Sequence, residues 1–397
     1  MAYPTKFFSS NMQGAASLLG GTAGSMISVI DNCLINGFGT LTLTSLTYNS
    51  GTGLCTGTIS GGHAYLKYSI LTIAGANESG FNGDVRILTV TSTTFTYTPL
   101  STPSASTATG TVTSNVTPIG GWTKQFSATG KGVYKSTDGD ATGLAILIDQ
   151  ANTATGWNTS STASAKIDFA ESFTDISTAV NRWGTTGLWW GFDTSSSNTT
   201  TARNWWLVGD SKFFYFASSR GNSATYNDVC ARCFGDIISI RPGDAYHCYG
   251  TATNSGASTG DTTNGTTFTS FGNSTNKYLA RNYHQGPGTA GGQLATLFGH
   301  RLSDLWGYGN NAFLPFPLSV NNGLLIHDYV EVYDTYSLRG WMPGGKTIPQ
   351  GILTNITPGY IFDSIPGRSG ELYYMLPAFN NGTSTLNWVT LSLGSWR

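Results

Sequence analysis

TAGSMISVIDNCLING, residues 22–37, is the stretch whose reading decides the fold. Met26, Val29, Ile30, Cys33 and Leu34 recur at helical spacing and make one apolar stripe. Thr22 or Ser25 is placed to cap the start, because a short side-chain oxygen accepts from the free amides of a first turn. Asn36-Gly37 ends the helix, since glycine takes the left-handed conformation without a steric cost. A helix this short is marginal alone, so its stripe must be buried against something. Two readings follow: it plugs the end of a β core, or it docks the protein on a partner.

Outward from this helix the chain reads as strands and turns. The expected fold is mostly β: a multi-domain arrangement of β-sandwich and antiparallel sheets with one short N-terminal amphipathic helix. Residues 1–39 form an arm and helix that pack with the main domain. Residues 40–117 read as an inserted β-sandwich, with strand-like runs at 40–48, 54–60, 65–73, 85–98 and 107–116 punctuated every 8–12 residues. Residues 118–397 read as the main antiparallel domain. Its clearest hairpin runs 204–208 against 213–217 across Gly209-Asp210-Ser211-Lys212. Trp205-Trp206 and Phe213-Phe214-Tyr215-Phe216 are aromatic on both faces, so either both faces are buried or one meets another chain. Residues 251–276 are almost purely Thr, Ser, Gly and Asn, the composition of a flap or interface arm.

Composition bounds the function. Charged residues make up 10% of the chain, against about 25% in a typical soluble protein, while aromatics reach 13%. That balance is the reverse of disorder. A Thr, Ser, Asn and Gly surface suits a protein covered by neighbours or one in an extracellular particle. The net charge is −1 with no Lys/Arg run, which leaves nucleic-acid binding without an electrostatic engine. No run approaches the ~20 apolar residues that span a bilayer, so no membrane insertion is expected. MAYPTKFFSS at the N-terminus lacks the apolar core of a signal peptide.

A resemblance narrows this further. Ser10-Asn11-Met12-Gln13-Gly14-Ala15, Leu19-Gly20-Gly21-Thr22-Ala23-Gly24-Ser25-Met26-Ile27 and Val29-Ile30-Asp31-Asn32-Cys33-Leu34-Ile35-Asn36-Gly37-Phe38-Gly39 resemble the opening of a family of tailed-bacteriophage virion proteins. The family pattern runs SxMxGAPxLxGTAGSLIxVLDACLVNGFG; here Ala16 stands where its proline does. Asp175-Ile176-Ser177-Thr178, Phe234-Gly235-Asp236-Ile237 (read as a turn), Gly243-Asp244-Ala245-Tyr246 and Arg339-Gly340-Trp341-Met342-Pro343-Gly344 are similar to later segments of that family. Gly80-Phe81-Asn82-Gly83 with the strands after it resembles the immunoglobulin-like modules inserted in phage tail and fibre proteins. The resemblance implies a virion location and a structural job in tail or baseplate, with other virion proteins and copies of itself as partners. A receptor- or carbohydrate-binding tail protein that meets a host-surface glycan, and a head or neck decoration protein, are the alternatives.

The chemistry-bearing residues are sparse. Cys230, Cys233, His247 and Cys248 are a weak candidate zinc set; the competing reading is buried thiols. Glu78, Glu171, Glu331 and Glu371 are the only glutamates, and Asp138, Asp140 and Asp149 sit in or beside turns. His284, His300, Asp304 and Asp328 complete no triad or metalloprotease pattern. The expectation is therefore a non-enzymatic protein with no cofactor. Met26, Val29, Ile30, Leu34, Trp205, Trp206, Phe214 and Phe216 are the candidate interface residues. The position of the aromatics discriminates the alternatives: a solvent-facing Trp/Tyr groove supports sugar binding, a broad flat apolar patch supports assembly.

Overall fold

The computed structural model describes residues 3–20, 22–151, 164–192, 201–219, 229–253, 277–282, 284, 293–298, 326–334, 337–348, 356–379 and 387–397. They are mostly β, in several antiparallel sheets with one short α-helix. Of the flap expected at 251–276, residues 251–253 are paired (Thr251 ends the strand Cys248–Thr251 and Thr253 bridges Trp189), while 254–276, like His300 and Asp304, lie outside the described residues.

The helix runs Ser25–Asp31 and continues as a π-helical turn, Asn32–Asn36. Its cap is not the expected one. Gly24 holds the N-cap position at φ 81°, with no side-chain cap of its own. The acceptor comes from across the fold: Gln150, just after the strand Ala145–Asp149, takes the Met26 N–H on Oε1 at 2.9 Å. The Gln150 amide donates to the Thr22 carbonyl at 2.9 Å and to Ser25 Oγ at 3.1 Å. Ser25 Oγ itself donates to the Leu19 carbonyl at 2.9 Å. At the other end Gly37, at φ 71°, stops the helix. The Cys33 and Leu34 carbonyls accept from the Ile119 and Gly120 amides at 2.8 and 3.0 Å. Asp31 bonds Lys124 at 2.5 Å and the Tyr134 hydroxyl at 2.8 Å. Helix ends leave free amides and carbonyls, and here distant strands satisfy both ends.

Those strands form a five-stranded meander: Trp122–Ala128, Lys131–Ser136, Ala145–Asp149, Ser164–Phe173 and Ala179–Gly191. Tyr134, Ile146, Ile148, Ile167 and Phe169 join the main core from one face, while Val133, Ala145, Leu147, Ala170 and Phe173 pack as a separate cluster. The helix plugs this core; its stripe is not a docking surface, because Met26, Val29, Ile30 and Leu34 are buried within the chain itself.

The expected hairpin forms, with Gly209 at the end of its first strand rather than in the turn. Trp205–Gly209 pairs with Phe213–Ser219, with Gly209 opposite Phe214. Asp210 makes the turn by accepting the Lys212 and Phe213 amides on Oδ1 at 2.9 and 2.7 Å. Both faces are buried by this chain alone. Phe214 and Phe216 face the meander and meet Trp190, with Trp122 edge-on to Phe214 at 5.4 Å. Tyr215 faces the chain end, edge-on to Trp396 at 5.7 Å. Trp205, Trp206, Phe214 and Phe216 are thus core residues, which corrects their reading as interface candidates.

Lys6–Ser9 adds outside Trp205–Gly209, and Val229–Asp236 adds outside Phe213–Ser219. From there the ladder runs through Cys248–Thr251, Lys277–Leu279, Gln293–Phe298, Glu331–Asp334 and Ser337–Trp341. It returns to Ile238–Ser239, the direct continuation of Val229–Asp236, so the sheet curls onto its own strand. Phe234-Gly235-Asp236 is therefore a strand end rather than a turn. Gly235 sits at φ 136°, where a Cβ would lie 2.1 Å from the Lys212 carbonyl oxygen. Asp236 accepts the Thr142 amide at 2.7 Å and its hydroxyl at 2.6 Å, tying the meander to this strand.

Arg339 and Asp244 link two of the quoted segments. They form an ion pair at 2.6 Å with both side chains fully buried. Arg339 also meets Asp334 at 3.4 Å and the Arg281 carbonyl at 2.6 Å. Burial alone would raise the Asp244 carboxyl; the hydrogen bond and charge of Arg339 outweigh it and hold the group below its ordinary value.

Strands between Phe38 and Val116 make their own seven-stranded sheet, ordered Phe38–Thr42, Thr113–Val116, Ile70–Ala74, Gly83–Val90, Thr94–Tyr97, Leu54–Thr58, Ser45–Asn49. The strand expected from 65 begins only at Ile70. Residues 65–69 turn instead: the Ser69 hydroxyl and amide both donate to the Leu66 carbonyl, and Tyr68 adopts φ 68°. This turn faces the main sheet.

Candidate functional site

The structure does not assemble the candidate zinc set. Cys230 and Cys233 lie three apart on Val229–Asp236 and so face opposite sides of the sheet. Cys248 lies on the neighbouring strand opposite Asp236, and the His247 ring is bonded to the Asp244 carbonyl. Burial pushes the Cys233 and Cys248 thiols well up, away from the thiolate that a metal needs. All five cysteines are buried and free. Among the described residues no three His, Cys, Asp or Glu side chains converge.

The carboxylates are occupied separately. Glu78 accepts from the Thr109 amide and hydroxyl at 2.7 Å, and Glu171 is gripped by Arg281 at 2.6 and 2.9 Å. Glu331 accepts from Tyr333 and Glu371 from Arg368. Asp138 holds Ser211 at 2.6 Å and Lys212 at 3.2 Å; Asp140 lies 3.7 Å from Lys212; Asp149 pairs with Lys131 at 2.9 Å. His284 is exposed in a turn.

What the fold does assemble is a cleft of about 440 Å³ that the sequence does not announce. Three pieces wall it: the 66–68 turn of the seven-stranded unit, the first strand Lys6–Ser9, and the segment 357–363 leading into Tyr373–Phe379. Its volume lies within the roughly 300–1,000 Å³ of small-molecule sites. Lys67 and Asp363 meet across it at 2.9 Å, and the Tyr68 hydroxyl donates to the same Asp363 oxygen at 2.6 Å. The Tyr68 hydrogen bond, with that of Lys67, lowers the Asp363 carboxyl to about 2. The carboxylate is therefore ionised at any ordinary pH. It is an acceptor, not an acid, and it is the single carboxylate in the lining.

The floor is aromatic. Tyr374 packs on Phe7 with ring centroids 5.0 Å apart. Its ring is buried, and its hydroxyl finds no hydrogen-bond partner. A buried hydroxyl left so costs roughly 1–3 kcal/mol. Gly359 covers it: a Cβ there would lie 3.2 Å from the phenol oxygen, and the backbone at φ 83° favours glycine. Tyr360, 44% exposed, stands at the rim and packs edge-on against Phe362 at 4.9 Å. The remaining exposed large apolar side chains among the described residues are scattered singly: Val90, Leu100, Val180, Ile240 and Tyr329. They make no broad flat patch.

Sequence reasoning missed Lys67, Tyr68, Tyr360, Asp363 and Tyr374. Lys67 and Asp363 lie 296 positions apart, and the turn that presents Lys67 rests on left-handed backbone at a tyrosine, which no local pattern signals.

No family model and no curated protein matches the sequence. Among solved structures the chain is similar to a phage phi92 endosialidase at 12% identity, with a TM-score of 0.17; the match covers 89% of this chain and 52% of that one. The chain thus spans about half the length of that neighbour, and a likeness at this level carries no argument about fold or activity.

Proposed function

We propose that this chain is a structural, non-enzymatic protein of a tailed-bacteriophage virion, associated with the tail or baseplate, where it binds copies of itself and neighbouring virion proteins. The observation that carries the reading is the N-terminal resemblance, and the fold gives those residues a physical reason. Residues 6–37 supply the outermost strand on Trp205–Gly209, the Ala16 carbonyl that accepts from Trp205 Nε1 at 2.9 Å, and the helix that closes the meander core. A segment that ties three parts of a fold together tolerates little change. The scarcity of charge fits a protein that lives among neighbours.

A second reading, a receptor- or carbohydrate-binding tail protein, is favoured by the cleft, since the described aromatics leave an open tyrosine-lined groove rather than a flat apolar face. Immunogold microscopy of intact particles, with an antibody to this chain, tests the first reading. Label on the tail or its tip is expected. Label on the head or neck makes it a decoration or collar protein, and its absence from purified particles by immunoblot overturns the virion assignment.

A further inference from the structure

Of the tryptophans among the described residues, Trp341 alone is not buried. It ends the strand Ser337–Trp341, directly opposite Glu331 on Glu331–Asp334. Cross-strand partners share a face, with Cβ atoms about 4.5–5.5 Å apart, so the half-buried indole and the carboxylate lie side by side. Tyr333, two residues along, flanks the carboxylate and donates from its hydroxyl to Glu331 Oε2 at 3.0 Å. Tyr329 flanks the indole. Its ring is 57% exposed and stands 5.4 Å from that of Trp341 at 42°. Its backbone is left-handed, φ 71°, a strained conformation for a tyrosine. Lys346 Nζ lies 5.7 Å from the Tyr329 ring, within cation–π range. No cation among the described residues pairs with Glu331 itself.

This surface discriminates between partners. An anionic one would meet the Glu331 carboxylate. A purely apolar one would take that carboxylate out of water with no counter-charge, which is costly. A cation is drawn both by the indole, the best of the aromatic rings for that contact, and by the carboxylate beside it. A guanidinium fits the pair better than an ammonium, because it is flat enough to lie on the ring while its edge forks onto a carboxylate. Tryptophan, tyrosine and arginine are also the residues that dominate the binding energy of protein interfaces.

We propose that the outer face of the strand pair Glu331–Asp334 and Ser337–Trp341 is a contact surface for a neighbouring protein, which lays an arginine over Trp341 and onto Glu331. This rests on the first reading above and names the chemistry of one partner.

Titrations of the full chain followed by saturation-transfer NMR test the site. The probes are N-acetylarginine amide, N-acetylcitrulline amide, which has the same shape and no charge, and choline. The arginine probe is expected to bind about tenfold more tightly than citrulline, and choline more weakly than arginine. Glu331→Gln removes the charge and keeps an acceptor for Tyr333, so this variant folds as the parent does; Trp341→Ala removes the ring. Each is expected to weaken arginine binding about tenfold. Equal binding of arginine and citrulline, tighter binding of choline, or variants that bind as the parent does would overturn the proposal. So would a dimer of the isolated chain in sedimentation velocity that Trp341→Ala dissolves, since the partner would then be a second copy. Particles separate the site from the reading it rests on. If arginine binds as expected and immunoblots find no chain in purified particles, the site stands and the virion reading falls. If the chain is present in particles and both variants are incorporated at the parent's level, the virion reading stands and the contact falls.

Discussion

Replacing Arg339 by Met is expected to be the most damaging conservative-volume change in the main sheet. Arg339 is fully buried and holds Asp244 at 2.6 Å, Asp334 at 3.4 Å and the Arg281 carbonyl at 2.6 Å. Methionine fills much of the same space but leaves two buried carboxylates facing each other without the guanidinium between them. Removing one partner of a buried ion pair costs about 3–5 kcal/mol, because the remaining charge stays out of water. At roughly 2–4 °C per kcal/mol for a unit of this size, the melting midpoint should fall by roughly 6–20 °C in calorimetry. The pH dependence adds a second readout. In the parent, the folded-state pKa of Asp244 lies below the ordinary 3.8, so its contribution is complete above 3.8 and is lost as the pH falls through that value and below. In the variant burial acts on Asp244 without the countering cation. Its folded-state pKa then rises above the unfolded value, and acid protonates it at a gain. The deficit of Arg339→Met relative to the parent should therefore shrink between pH 8 and pH 4. Pairing the change with Asp244→Asn should cost less than the sum of the two singles. A loss under about 1 kcal/mol, or strict additivity in that cycle, would refute the view that this pair joins the two segments.

Two further outcomes are expected. Gln150→Ala removes the acceptor for the Met26 amide and the donor to the Thr22 carbonyl and Ser25 Oγ, and should cost about 2–3 kcal/mol in denaturant unfolding, as a lost cap with a buried amide left bare; an unchanged midpoint would show that the helix end is held elsewhere. Burial lowers the Lys277 ammonium from 10.5 to about 7, against the partial support of Cys233. Unfolding then takes up a proton between about pH 7 and 10, so stability should rise with pH across that window by up to about 1.4 kcal/mol per unit, and Lys277→Met should flatten the slope; a parent curve that is level there would contradict this placement.

What was legible in the sequence was local or periodic. The stripe Met26, Val29, Ile30, Cys33, Leu34 predicted its own burial, because spacing alone puts those residues on one face. The hairpin at Asp210 was legible because its turn chemistry lies within four residues. Local pattern failed wherever the deciding partner was far away. Ser25 looks like a cap, but Gln150 outcompetes it from 125 positions along the chain. Residues 65–69 look like strand, but the turn and the hydrogen bond to Asp363 hold Tyr68 in a conformation that strands never use. The interface candidates failed for a related reason: aromatics on both faces of a hairpin say that both faces are covered and do not say by what.

That failure locates the functional surface. A chain this rich in aromatic residues has two ways to use them, and the hairpin at 205–219 with the meander at 122–191 takes up the large rings as core. Trp122, Trp183, Trp189, Trp190, Trp205, Trp206, Trp388 and Trp396 are all buried. The tyrosines at 68 and 360 are different, because their surroundings do not close over them. Tyr68 pays backbone strain to reach Asp363, and Tyr374 keeps a buried hydroxyl that nothing inside the chain uses. Each is a cost to the folded chain alone. Both costs lie in the lining of the same cleft, beside the exposed ring of Tyr360.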